Sequence, residues 1–326
     1  MRQQILPLDS THYQRHLIHG EDRNWAETNC YVDVWIELLH ALELEPAAAM
    51  GSALAVDFEG DQWTFFKPTL GDLRALYGVN VQEMTVWRPL LDHAIEHLAA
   101  GKLISTEADA YWLPDTVGTD YRRKHTKTTI ILNDVDPDSE RLSYFHNASY
   151  YALDDQDFRG LFRVDTPQDP AYLPLYAELI RCDRLERHSP SDLAQISEGL
   201  LRQALRHRPR TNPMRRFGAH IEAHFAGHQD RGLDEYHVWA FATTRQCGAA
   251  FDLSAAHLRW LSETGAINAL PAAASFEFIA QTCKAMILKA ARAVNSGRPL
   301  DASAMIEAMA QSWDSGMASV ELALKC

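Results

Sequence analysis

Thr28-Asn29-Cys30-Tyr31-Val32-Asp33-Val34-Trp35-Ile36-Glu37-Leu38-Leu39-His40-Ala41-Leu42 is the stretch on which the reading of this chain turns. Apolar residues recur at 31, 34, 35, 38, 39 and 42, the spacing of one helical face. Thr28 and Asn29 are N-cap residues, so the helix is expected to begin at Cys30, and Pro46 to stop it. Cys30 then lies in the first turn. Unpaired N–H groups and the positive end of the helix dipole favour a thiolate there, the reactive form of cysteine. The plainer use of the same pattern is a small thiol packed under a helix.

A candidate base lies 95 residues on. Thr126–Leu132 is β-branched and reads as a strand, Asp136-Pro137-Asp138-Ser139 as a turn, and Arg141–Asn147 as the returning strand. His125 opens the first strand and Asn147 ends the second, which brings those ends together in an antiparallel hairpin. Asn147 could then hold the imidazole in one tautomer, with Asp134 a less well placed substitute. The expected constellation is a catalytic triad of Cys30, His125 and Asn147. His146 reads as an alternating strand residue.

A Cys at a helix start, a His at a strand start and an Asn at the next strand end resembles the papain-like order. Residues 24–160 resemble more closely the N-terminal domain of the butirosin-biosynthesis protein H type. The resemblance runs through Asn29-Cys30, Met50–Phe58, Gly101–Ile104, Asp109–Pro114, His125 and Asn147. The chain as a whole also looks like a bacterial family associated with amino acid:carrier-protein ligases. The resemblance implies a cysteine-protease-like fold used for acyl transfer. An aminoacyl group would pass from the phosphopantetheine thioester of a carrier protein to an amine. Papain-like enzymes often carry an oxyanion-hole Gln six residues before the nucleophile; Asn24 stands there in this chain, with the Cys30 N–H as the second donor.

Composition agrees with a water-soluble enzyme. No apolar run reaches the ~18 residues needed to span a bilayer, and Met1–Leu8 lacks the apolar core of a signal peptide. Five scattered cysteines without a CxxC pair argue against a disulfide framework or a zinc knuckle and for a cytoplasmic setting. A net charge of −13 argues against nucleic acid as a partner. Arg202, Arg206, Arg208, Arg210, Arg215 and Arg216 form a local exception, which could steer an acidic carrier protein or simply be a solvated face.

The expected fold class is α+β, with a papain-like domain over residues 1–160 and an all-helical domain over 161–326. Residues 53–58 and 63–66 read as a hairpin, and 69–77 and 88–100 as helices. Asp165–Pro170 reads as a linker. Helical spacing covers 172–186, 190–207, 213–226, 232–249, 253–263, 275–294 and 301–323, with Ser254, Ser275 and Asp301 as candidate starts.

Further binding candidates are weaker. Asp109 and Tyr111, in a stretch that carries the resemblance, and Arg245 and Glu277 are candidate substrate contacts. A structural ion pair is the commoner use of the last two. Tyr121–Lys124 could meet a pantetheine phosphate. His220, His224 and His228 stack at helical spacing but lack an HExxH pattern, and no metal is expected. The function expected is aminoacyl transfer through a Cys30 acyl-enzyme, with no cofactor beyond the partner's phosphopantetheine arm. A cysteine peptidase, amidase or thioester hydrolase, or a non-catalytic carrier-protein adaptor, are the alternatives.

Overall fold

The β-branched run after His125 becomes the strand around which the N-terminal half is organised. The computed structural model describes residues 1–167 and 173–325. In chain order they form β1 (Gln3–Gln4), α1 (Cys30–Ala41), β2 (Phe58–Glu59), β3 (Gln62–Trp63), α2 (Leu70–Tyr77), β4 (Asn80–Glu83), α3 (Leu90–Ala99) and β5 (Lys102–Asp109). Next come β6 (Lys127–Asp136), β7 (Arg141–His146), β8 (Ser149–Asp154), α4 (Asp155–Phe162) and β9 (Ala177–Arg181). The helices α5 (Pro190–Ala204), α6 (Pro213–Asp230), α7 (Leu233–Ala240), α8 (Gln246–Glu263), α9 (Leu270–Ser296) and α10 (Ser303–Ala323) follow. This is an α+β chain with an N-terminal antiparallel sheet and a C-terminal helical region. Among the described residues, no helix is long and apolar enough to cross a membrane.

Contacts divide the chain into two units. The first comprises Met1–His19, Asn29–Pro46 and Leu73–Arg187; the second holds Gly20–Thr28, Ala47–Asp72 and the chain from His188 onward. The sheet of the first unit runs β4-β9-β5-β6-β7-β8, and every pairing is antiparallel. β5 covers one edge of β6 as far as Leu132, and β1 takes over at Asp134 and Val135. The β6–β7 register slips between Leu132 and Asp134. Asn133, at the slip, is fully buried and bonds the backbone of Leu6 and the hydroxyl of Tyr150, which ties the N-terminal segment to the sheet.

Several expected elements need correction. The helix expected from residue 172 is a strand over its described part: Ala177–Arg181 pairs between β4 and β5 and completes the sheet. Its alternation is masked because both faces of this central strand are largely covered. The first unit therefore continues to Arg187, past the boundary expected near 160, which falls inside α4. The linker reading of Asp165–Pro170 lies partly outside the described residues. α1 ends at Ala41, ahead of Pro46, which instead opens a 3-10 stretch to Ala55. The hairpin of β2 and β3 is thus only two residues a side. Ser254 and Ser275 lie inside α8 and α9, where their hydroxyls donate to carbonyls four residues back. Asp301 does hold a helix start, accepting from Ser303 N–H and Oγ.

α1 is buried nearly all round, from Tyr31 to Leu39. The sequence stripe explains one face. The other holds Asp33 and Glu37, whose charges are met by His19: Nε2 lies 3.2 Å from Asp33 Oδ1, and Nδ1 bonds Glu37. Tyr13 OH donates to Glu37 at 2.7 Å. Hydrogen bonding to the two carboxylates overcomes the penalty of burial and raises His19 to about 9.

The second unit packs α8, α9 and α10 around an apolar core that includes Phe251, Phe276, Cys283 and Met309. Thr243 and Thr244 lie in a π-helical turn from Phe241 to Arg245, inside the span expected as one helix over 232–249.

Candidate functional site

Asn29 caps α1 as the sequence predicts: its backbone is extended, and its Oδ1 accepts from Val32 N–H at 2.9 Å. Cys30 is the first helical residue and half-buried. Its thiol meets Thr129 Oγ1 at 3.7 Å. The other described thiols differ in kind. Cys247 and Cys283 are buried against Met214 and Met309. Burial pushes Cys247 well above the usual thiol range and Cys182 up to about 11.

The contact with Thr129 and the β5–β6 register fix what Cys30 faces on the sheet. Thr129 lies opposite Glu107, and Lys127 opposite Asp109, so these four side chains share one face of the β5–β6 pair. Lys127 Nζ bonds Glu107 Oε1 at 2.8 Å along this face. Tyr31 OH and Tyr176 OH both donate to the buried Glu178, at 2.9 Å each, and Glu178 lies opposite Ser105. The first turn of α1 therefore sits on a polar strip of the sheet.

His125 stands at the end of that strip. Its Nδ1 is 2.6 Å from Asp109 Oδ2, and its ring stacks on Tyr111 with centroids 4.5 Å apart. An ionised carboxylate only accepts, so Nδ1 carries the proton and Nε2 keeps the basic lone pair. Among the described residues Nε2 has no hydrogen-bond partner. The side chain is 72% exposed. It opens, with Asp109, into a surface cavity of about 570 Å³ whose far wall is α4.

Two expected contacts are not formed. Asn147 does not bond His125; Asp109, expected from sequence as a substrate contact, does. Asn147 forms the β7–β8 turn with φ +44, beyond His146, which pairs with Ile130. β7 therefore ends before the level of His125. Asp134 is no substitute: it binds Arg2 at 2.6 Å and lies roughly 30 Å from His125 along the strand. The thiol and imidazole are also not bonded to each other. Asp109 lies one residue row from the row of Cys30 and Thr129, about 7 Å along the strand. His146 cannot serve Cys30 either. It bonds Thr128 at 2.8 Å and Asp115 at 2.5 Å, and Thr128 faces opposite to Thr129.

Other candidates have structural partners. Asn24 belongs to the second unit, where its carbonyl accepts from Lys284 at 2.6 Å. The Cys30 N–H, which no described acceptor takes up, is the oxyanion donor the first unit itself supplies. Arg245 and Glu277, also in the second unit, do not meet: Arg245 binds the Glu27 carbonyl at 3.3 Å, and Glu277 pairs with Arg259. Arg122 pairs with Asp157 at 2.5 Å and covers Trp112 at 4.4 Å. His220 and His224 stack 4.3 Å apart, His228 stacks on Trp239, and no metal-binding group occurs among the described residues. In the arginine cluster, Arg202, Arg208, Arg215 and Arg216 are ion-paired with Glu198, Glu321, Glu307 and Asp57. Arg206 and Arg210 are exposed and form no ion pair with described residues.

Residues 14–182 match the DUF1839 N-terminal domain and residues 190–322 the DUF1839 C-terminal domain, so the chain belongs to the DUF1839 family. No curated protein matches it.

Proposed function

We propose that the protein is a cysteine-dependent acyltransferase that passes an aminoacyl group from a carrier-protein thioester to an amine. One observation carries the reading: the thiol at the first turn of α1 meets Thr129, and Asp109, which bonds His125, lies one residue row along the same sheet face. The resemblance to papain-like acyltransferases supplies the substrate class.

Cys30 attacks the thioester carbonyl, its sulfur forming a C–S bond as the bond to the pantetheine sulfur breaks, and the proton lost by the Cys30 thiol ends on the departing pantetheine thiolate. The N–H of Cys30 faces the developing oxyanion. His125, held by Asp109 through Nδ1, takes the proton of the incoming amine at Nε2. The new C–N bond forms as the Cys30–acyl bond breaks, and the proton returns from His125 to the released Cys30 thiolate through solvent. The gap of about 7 Å between rows leaves room for an acyl group between sulfur and base. The acidic carrier would dock through exposed Arg206 and Arg210.

Incubation with an aminoacylated carrier protein, followed by mass spectrometry, tests the reading. The acyl mass should appear on Cys30 and pass to an added amine. A product carrying water in place of the amine would make the protein a hydrolase. An unmodified Cys30 with intact carrier binding would make it an adaptor.

A further inference from the structure

α10 keeps its charges on one edge. Glu307, Asp314 and Glu321, its only charged residues, recur at every seventh position and so stand on one line of the helix. All three are tied within the helical unit, Glu307 and Asp314 to Arg215 of α6 at 3.3 and 3.1 Å, and Glu321 to Arg208. The charges of α9 are engaged in the same way as far as Lys289. Glu277 accepts from Arg259 of α8 at 2.7 Å, Lys284 Nζ donates to the Asn24 carbonyl at 2.6 Å, and Lys289 Nζ donates to the Asp301 carbonyl at 2.5 Å.

What remains between the two helices is an uncharged groove. It holds about 430 Å³ between Phe278, Thr282 and Ala285 of α9 and Ala304, Met305 and Ala308 of α10. Helical spacing extends this face to Leu270 and Leu288 on α9 and to Leu322 on α10. Leu270, Phe278, Leu288 and Leu322 are 47, 42, 56 and 66% exposed, so four large apolar side chains share one face of the unit. Leu270 to Leu288 spans about 28 Å of helix, and two helices of about 10 Å lie side by side, which gives a face on the order of 600 Å². That is what the smaller stable interfaces bury on each partner.

The occupant follows from charge and shape. The face offers no charge to an acidic or basic partner, and two copies of a chain of net charge −13 meet at least electrostatic cost where neither carries a charge. The face is also complementary to itself. Its groove lies at the Ala304 end of α10, and its most exposed leucine, Leu322, lies eighteen residues along at the other end. A twofold axis running across the helices exchanges the two ends. We propose that the chain forms a homodimer through the α9–α10 face, with Leu322 of each copy seated in the groove of the other.

Sedimentation equilibrium of the full chain tests this. Wild type should be a dimer with a Kd of about 10 μM or below. Phe278→Glu and Ala304→Glu each place a charge on the face and should weaken the dimer roughly tenfold or more. Both side chains are exposed, so the circular dichroism of each variant should match wild type. Ala304→Glu combined with Leu322→Lys should recover association, because the twofold axis sets the two charges against each other, whereas within one copy they stand about 27 Å apart. A wild type that stays monomeric at about 100 μM would overturn the proposal and leave the face to a different protein. Dimers unaffected by Phe278→Glu would place the contact elsewhere, and a double variant that associates no more strongly than Ala304→Glu alone would overturn the twofold arrangement.

Discussion

His125 Nδ1 lies 2.6 Å from Asp109 Oδ2, a bond between residues sixteen apart that the β5–β6 pairing brings together. Asp109→Ala should therefore lower amine transfer by about tenfold or more, since it frees the tautomer and orientation of the ring. Asn147→Gly should leave transfer nearly unchanged, because φ +44 suits glycine and Asn147 does not bind His125. Steady-state kinetics of the two variants, side by side, decide the point. The reverse ranking would return the orienting role to Asn147.

His125 is held by Asp109, one row along from the row of Thr129 and the thiol, so its loss should separate the two half-reactions. In His125→Ala, single-turnover acylation of Cys30 should stay within about threefold of wild type. Transfer to the amine should fall by roughly 10²-fold or more, the usual loss of a general base. Equal losses in both steps would mean that His125 reaches the thiol directly.

The buried His19 makes stability depend on pH. Its folded value of about 9 stands above the ordinary 6.5, so the folded state holds a proton that the unfolded state releases first. The stabilisation is complete below about pH 6.5 and is lost as pH rises to 9, on the order of 3 kcal/mol in all. Asp33 and Glu37 are the groups that face it, and the Tyr13 hydroxyl donates to Glu37. Thermal melts across this window should show a falling Tm in wild type and a flatter profile in His19→Gln. Parallel profiles would contradict a charged His19.

Gly160 is expected to be intolerant of a side chain. A Cβ there would lie 2.3 Å from the Trp112 ring, which Arg122 covers at 4.4 Å. Gly160→Ala should destabilise the fold by about 1–3 kcal/mol by overpacking, although alanine suits a helix better than glycine. Denaturant unfolding measures it, and an unchanged or raised midpoint would show that the indole yields freely.

Charge reversal should separate the arginines of 202–216 into two groups. Arg206→Glu with Arg210→Glu should slow carrier association and reduce its salt dependence without lowering Tm. Arg208→Glu should lower stability instead, because Glu321 is its partner. Unchanged association kinetics in the double reversal would place carrier docking elsewhere.

Local chemistry was enough to read the start of α1, the β6–β7 hairpin and nearly all the C-terminal helices. Each rests on signals within a few residues: Asn29 ahead of a helical stripe, Thr and Ile runs beside a Pro-Asp turn, Pro190 and Pro213 at helix starts. The candidate nucleophile was legible for the same reason, since its setting is the first turn of its own helix. The partner of the candidate base was not. Which carboxylate or amide meets His125 depends on where β7 ends and how β5 is registered on β6, and both are set by pairing with distant strands. Asp109 looks from sequence like any strand-end aspartate until Lys127 is placed opposite it. The strand 177–181 was hidden because burial on both faces removes the alternation that marks a strand, and the charges of Asp33 and Glu37 gave no sign that His19 would bury them. Periodicity and capping belong to the chain; register, and therefore the meeting of Asp109 with His125 and the distance of both from Cys30, belongs to the packed sheet.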